Sequence, residues 1–161
     1  MRPILFLAVA VLALTGCAAT PVPKVTPTAT SSSGTVRQFA SVIAEQKASI
    51  NKWQAQWDAD QCSGTDGSTM PCGMELLGGA MIASTASLSL GTAANTSQPP
   101  KEIRDLYTAT AGLADDAAAA GKAWQDSCNA AQQAECAGLV GRMEIAMGML
   151  GSKLEAWTPY L

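Results

Sequence analysis

The chain of 161 residues contains no histidine. That absence removes the commonest general base, the commonest metal ligand and the side chain that titrates near neutral pH. Charge is also sparse. Ten Lys and Arg against thirteen Asp and Glu leave a net charge of −3 with no basic run or stripe, so no nucleic-acid partner is expected. No run of alternating β-branched residues is present, which argues against strands. Serines are plentiful, but without histidine or a G-x-S-x-G elbow there is no triad to assemble. Asp58, Asp60, Asp66, Asp115, Asp116 and Asp126 read as solvated faces of helices and loops, and "DADQCSGTDG" is too irregular for a calcium loop. No catalytic residue, no metal site and no cofactor is implied, and an enzyme is not expected.

What the chain does have begins with an address. Arg2 precedes an apolar stretch from Ile4 to Leu14, too short for the roughly 20 residues of a spanning helix. It reads as a secretory signal, to be set aside from fold reasoning. The stretch ends in Leu14-Thr15-Gly16-Cys17, which resembles the lipobox of bacterial lipoproteins. The resemblance covers these first residues only. It implies that residues 1–16 are a signal peptide and that Cys17 becomes the lipid-modified (palmitate-type) first residue of the mature chain. The implied location is the extracytoplasmic face of the cell membrane. Residues 17–34, rich in Thr, Pro, Ser and Ala with Pro21, Pro23 and Pro27, read as an extended tether that cannot form a helix. Stretched, such a segment reaches about 50 Å. Its Thr/Pro density is compatible with O-glycosylation, and the style is similar to lipoproteins of high-GC Gram-positive bacteria or their phages.

The remaining cysteines, Cys62, Cys72, Cys128 and Cys136, form an even set in an exported chain, which predicts two disulfides. Their spacing does not suit zinc. Three pairings are possible, and the repeat described next favours Cys62–Cys72 and Cys128–Cys136.

From Val36 the sequence places Val36, Phe39, Ile43, Gln46, Ile50, Trp53 and Trp57 at alternating steps of three and four, the stripe of an amphipathic helix. The same pattern returns, 67 positions on, as Ile103, Leu106, Thr110, Leu113, Ala117, Ala120 and Trp124. Each stripe is followed by a cysteine, a polar loop, a second cysteine and another apolar helical run. The first of these runs is Leu76, Leu77, Ala80, Met81, Ser84 and Leu88; the second is Leu139, Val140, Met143, Met147, Leu150, Leu154 and Trp157. Pro99 and Pro100 separate the units, with Lys101 and Glu102 expected in the first turn of the next helix. The prediction is an all-α, up-and-down antiparallel four-helix bundle over 35–161, built of two disulfide-stapled hairpins, 35–94 and 100–158.

Glycines at 78, 79, 91, 138, 141, 148 and 151 weaken their helices and are expected to offset that by close helix approach, with flexibility or a groove for a ligand the sharper alternative. Methionines 70, 74, 81, 143, 147 and 149 are expected in the core, with Cu(I) binding the sharper alternative. Trp157 and Tyr160 suit either a membrane interface or packing over the bundle end. The topology puts the tether, the Pro99-Pro100 turn and the C-terminus at one end and both cysteine loops at the other. Asp66, Met70, Asn129, Gln132 and Gln133 are therefore the candidate recognition tip. The expected role is a lipid-anchored, non-enzymatic binding module for a protein or envelope component. The alternative is a carrier of a small hydrophobic ligand or lipid within the bundle.

Overall fold

The structure, a computed structural model, describes residues 33–128 and 136–161. Four helices, α1 (Val36–Ala59), α2 (Met70–Thr96), α3 (Arg104–Cys128) and α4 (Cys136–Glu155), are followed by a short 3-10 turn, Thr158–Tyr160. No strand occurs among the described residues; one isolated parallel bridge joins Ser33 to Gln98. Helix α2 packs on α3, α3 on α4, and α1 on both α2 and α4, with little contact across the diagonals. This is the expected antiparallel bundle. The disulfides pair Cys62 with Cys72 and Cys128 with Cys136, so each closes its own hairpin.

Helix α1 starts where Thr35 Oγ1 accepts the amide of Gln38 at 3.2 Å, an N-cap that satisfies one free amide of the first turn. Phe39, Ile43, Gln46, Ile50, Trp53 and Trp57 are all buried, as the stripe predicts. In α4 and the turn after it, the buried set Val140, Met143, Met147, Leu150, Leu154 and Trp157 also follows the expected register. Helix α3 begins at Arg104, so Lys101 and Glu102 lie in the turn before it. The buried side of α3 takes in Tyr107, Ala114 and Gly121 beside the predicted Thr110, Ala117 and Trp124.

Side-chain volume sets the spacing of the helices. A Cβ on Gly121 would lie 2.7 Å from Ala80 Cβ and 2.9 Å from its Cα, so α2 and α3 meet nearly backbone to backbone. Helix α1 instead presents two indoles, stacked with centroids 5.3 Å apart, and stands further from its neighbours.

Helix α2 departs from the expected register. Its buried face is Leu76, Gly79, Ala80, Ala83, Ala86 and Leu90, whereas Met81, Ser84 and Leu88, expected inside, point outward. Where Gly121 meets Ala80 the α2–α3 seam has room for alanine but not for methionine or leucine; Leu76 and Leu90 are buried to either side of that contact. The glycine expectation is corrected in part, because most of these glycines lie away from the helix contacts. Gly79 meets Trp53 and Met143, and Gly151 meets Gln54, but a Cβ on Gly78, Gly91, Gly138, Gly141 or Gly148 would meet nothing within 4 Å.

One end of the bundle is closed by aromatic rings. Tyr107 meets Phe39 edge-on at 4.8 Å and Trp157 at 6.2 Å. Its hydroxyl donates to Leu90 O at 2.7 Å, and Trp157 Nε1 donates to Thr110 Oγ1 at 2.9 Å. Trp157 is thus fully buried and plugs the bundle end rather than facing outward. The chain enters at this end: Gly34 N donates to Gln98 O at 3.0 Å, and a Cβ at Gly34 would fall 2.5 Å from Phe39 Cε2. Lys47 binds Glu155 at 2.9 Å on the outside of the same half.

Candidate functional site

The opposite end carries the loop 60–69. Helix α1 stops in a Schellman arrangement, with Gln61 at φ 55°. Gln61 N donates to Asp58 O and Cys62 N to Trp57 O, both at 3.1 Å. This satisfies carbonyls that the last turn leaves free and turns Cys62 into the interior. The disulfide to Cys72 then ties the end of α1 to the first turn of α2; both cysteines are buried.

Short polar side chains shape the rest of the loop. Thr65 Oγ1 donates to Cys62 O at 2.8 Å, and Ser68 N donates to Asp66 Oδ1 at 2.9 Å. The bonds from Ser68 hold the Asp66 carboxyl below its ordinary value. Gly67, at φ +72°, packs where a Cβ would meet Leu76 Cδ1 at 2.5 Å and Val140 Cγ2 at 3.3 Å, so the loop folds down over the bundle end. Ser63 fixes it there: its hydroxyl accepts from Trp57 Nε1 at 3.2 Å and donates to Glu144 of α4. Trp53 Nε1 donates to Glu75 O at 2.7 Å. Burial, and secondarily the charge of Asp60, raise the Glu75 carboxyl above its usual value.

Of the predicted tip, Asp66 and Met70 are exposed at this end. Asn129, Gln132 and Gln133 lie outside the described residues, as does Cys17. Trp57 and Trp124 are buried beneath the tip as packing residues. No group of three or more Cys, Asp or Glu side chains among the described residues is placed to hold a metal. Asp115 accepts from Ser87 Oγ at 2.6 Å, and Asp126 pairs with Lys122.

An apolar surface that the sequence reading placed in the core begins at the tip and runs down α2. Met70, Met74, Met81 and Leu88 are 80%, 66%, 67% and 71% exposed. Met143 and Met147 are core, as expected, but Met149 on α4 is also exposed, beside Ile145. A groove of about 390 Å³ flanks the α2 surface, lined by Ser49, Lys52, Trp53, Gln56, Glu75, Gly78 and Ile82. By length and mean hydropathy, 1.3, α2 would pass as a membrane span. Here one side of it is committed to the bundle by a disulfide and two hydrogen bonds to its carbonyls. The signal for the exposed row lay in the sequence as a second three-four stripe on the same helix. Comparison with protein-family models, curated proteins and solved structures finds no match to this chain.

Proposed function

We propose that the protein is an exported lipoprotein, anchored through Cys17 to the extracytoplasmic face of the cell membrane, and that its bundle is a non-enzymatic binding module. The observation that carries this reading is the opposition of the two ends. The chain enters at the bridge between Ser33 and Gln98, beside the Tyr107–Trp157 plug. The disulfide-closed loop with Asp66 and Met70 caps the other end, one 24-residue helix away, roughly 36 Å at 1.5 Å per residue. A tether that enters at one end leaves the other free to meet a protein or envelope component. A loop pinned by Ser63, Gly67 and the Cys62–Cys72 bond is the rigid kind of surface that recognition uses.

Packing favours this over carriage of a hydrophobic ligand. Met143 and Trp53 fill the space over Gly79 inside the bundle, and the grooves at α1–α2 and α3–α4 open on its outside. The test is to purify the full-length protein from its own cells and measure its intact mass. A mature chain beginning at Cys17 with a diacylglycerol thioether, lost from the membrane fraction in Cys17→Ser, is the expected result. A soluble chain with an unmodified thiol would sink the anchor.

A further inference from the structure

We infer that the tether end of the bundle is a membrane-docking face, seated on the anionic phospholipid headgroups of the bilayer that holds the anchor; the inference rests on the lipoprotein reading. Cations surround this end. Arg37 stands in the first turn of α1, Lys101 in the turn between α2 and α3, Arg104 at the start of α3 and Lys153 in the last turn of α4. Lys153 is half-buried and the other three are exposed. Among the described residues the ion pairs are Lys47–Glu155 and Lys122–Asp126, so none of these four cations is paired. Glu102 and Asp105 are the acids beside them, and Glu155 is already held by Lys47. Arg37 shares a groove with Tyr160 and Leu161, which brings the start of α1 to the last residues of the chain. Both of those residues are exposed, although the Tyr160 ring also meets Trp157 at 5.7 Å. Cations set around an exposed tyrosine and leucine match the composition of a membrane interface.

The opposite end has the opposite sign. No Lys or Arg occurs from residue 53 to residue 100, whereas Asp58, Asp60, Asp66 and Glu75 do, and all four lie at or beside the tip. An anionic surface therefore attracts one end of the bundle and repels the other. Salt limits that field to about 8 Å, so only the end that touches the headgroups responds to it. The contact need not be strong. Residue 33 follows Cys17 by 16 positions, and a flexible link of that length presents the tether end to the bilayer at a roughly millimolar effective concentration. The apolar outer side of α2 is the rival contact. Helices that lie on lipid carry basic residues on their polar side, and α2 has none. A bundle lying on α2 would also lower Asp66 and Glu75 toward the same headgroups.

The test supplies the anchor chemically, so that it does not depend on processing in cells. The mature chain proposed above, residues 17–161, is coupled through the Cys17 thiol to maleimide lipid; the other four cysteines are paired. The nanodiscs hold equal parts of phosphatidylglycerol and phosphatidylcholine, with a trace of gadolinium-chelate headgroups. Amide NMR signals near Arg37, Lys101 and Lys153 broaden at least tenfold more than those of residues 60–69. Discs of phosphatidylcholine alone cut that ratio at least threefold, and so does the double variant Arg37→Glu, Lys101→Glu. Both substitutions lie at or just before a helix N-terminus, where a carboxylate is favourable, and circular dichroism checks that the bundle is kept. The change of lipid needs no variant and stays decisive if the double variant does not fold. Equal broadening at both ends overturns the inference, as does a ratio that is the same in phosphatidylcholine. Broadening centred on Met74 to Leu88 also overturns it, because the bundle would then lie on α2. The lipoprotein reading fails separately, by an unmodified Cys17 in the protein taken from its own cells.

Discussion

Tyr107 joins three parts of the bundle. Its ring contacts Phe39 of α1 and Trp157 beyond α4, and its hydroxyl reaches the α2 carbonyl of Leu90. Burial pushes its phenol up to about 12, because a tyrosinate there would lose water without gaining a partner. The folded value lies above the unfolded one. The hydroxyl's contribution is therefore complete below about pH 10 and is lost as pH rises toward 12. Tyr107→Phe should lower stability at pH 7 by about 1 kcal/mol and flatten the fall between pH 10 and 12, both readable from urea unfolding followed by circular dichroism. Equal alkaline slopes in the two proteins would rule out this account. The sequence stripe for α3 listed Leu106 and passed over its neighbour Tyr107. A helical stripe predicts a face to within one residue, and which neighbour turns inward depends on what the other helices present.

At the scale of the element, α2 teaches most about what a sequence discloses. It is apolar on every side, so period alone offers two three-four stripes. A choice by residue size takes Met81 and Leu88 for the core. The bundle buries Ala80, Ala83 and Ala86, between Leu76 and Leu90, instead, because α3 brings Gly121 against Ala80 and leaves no room there for longer side chains. Helices α1 and α4 carry charges on one side, so only one register was open to them and the stripe named it. The pair Leu88 and Leu90, two positions apart, checks the assignment. Leu90→Ala should cost about 2–5 kcal/mol as a core cavity, and Leu88→Ala less than about 0.5 kcal/mol. Denaturation of both variants settles it, and a larger loss for Leu88→Ala would reverse the register. The disulfides were legible for a different reason: two repeated hairpins each enclose two cysteines, and local closure keeps the repeat intact.

Across the whole molecule, the sequence revealed the count and order of helices, their antiparallel course and the pairing of cysteines, because each follows from periodicity and short connections. It revealed less of the surface. The tip was legible as a loop, but its rigidity comes from contacts no pattern encodes: Ser63 between Trp57 and Glu144, and Gly67 against Leu76 and Val140. The Lys47–Glu155 pair, 108 positions apart in sequence, was equally invisible. The hydrogen bond from Lys47, chiefly, holds Glu155 below its usual value. Its contribution is thus present above about pH 4.5 and fades as acid protonates the folded carboxylate; at an exposed site it is small.

The bond between Cys62 and Cys72 has a mechanical meaning. Tension applied between residue 33 and the loop at Asp66 enters at Cys62 and runs lengthwise down α1, while the bond keeps the start of α2 fastened to the loaded end. Helix α1 is then drawn along its own axis, and the contacts of its buried side chains with α2 and α4 are loaded together. Tension applied between residue 33 and Leu161 pulls on two points at the same end, and contacts open one after another, as in a zipper. Single-molecule pulling with handles in these two geometries should give a higher rupture force for the first. Equal forces would show that the load does not follow α1. A protein held at one end and gripped at the other would thus be strongest along the line in which it is pulled.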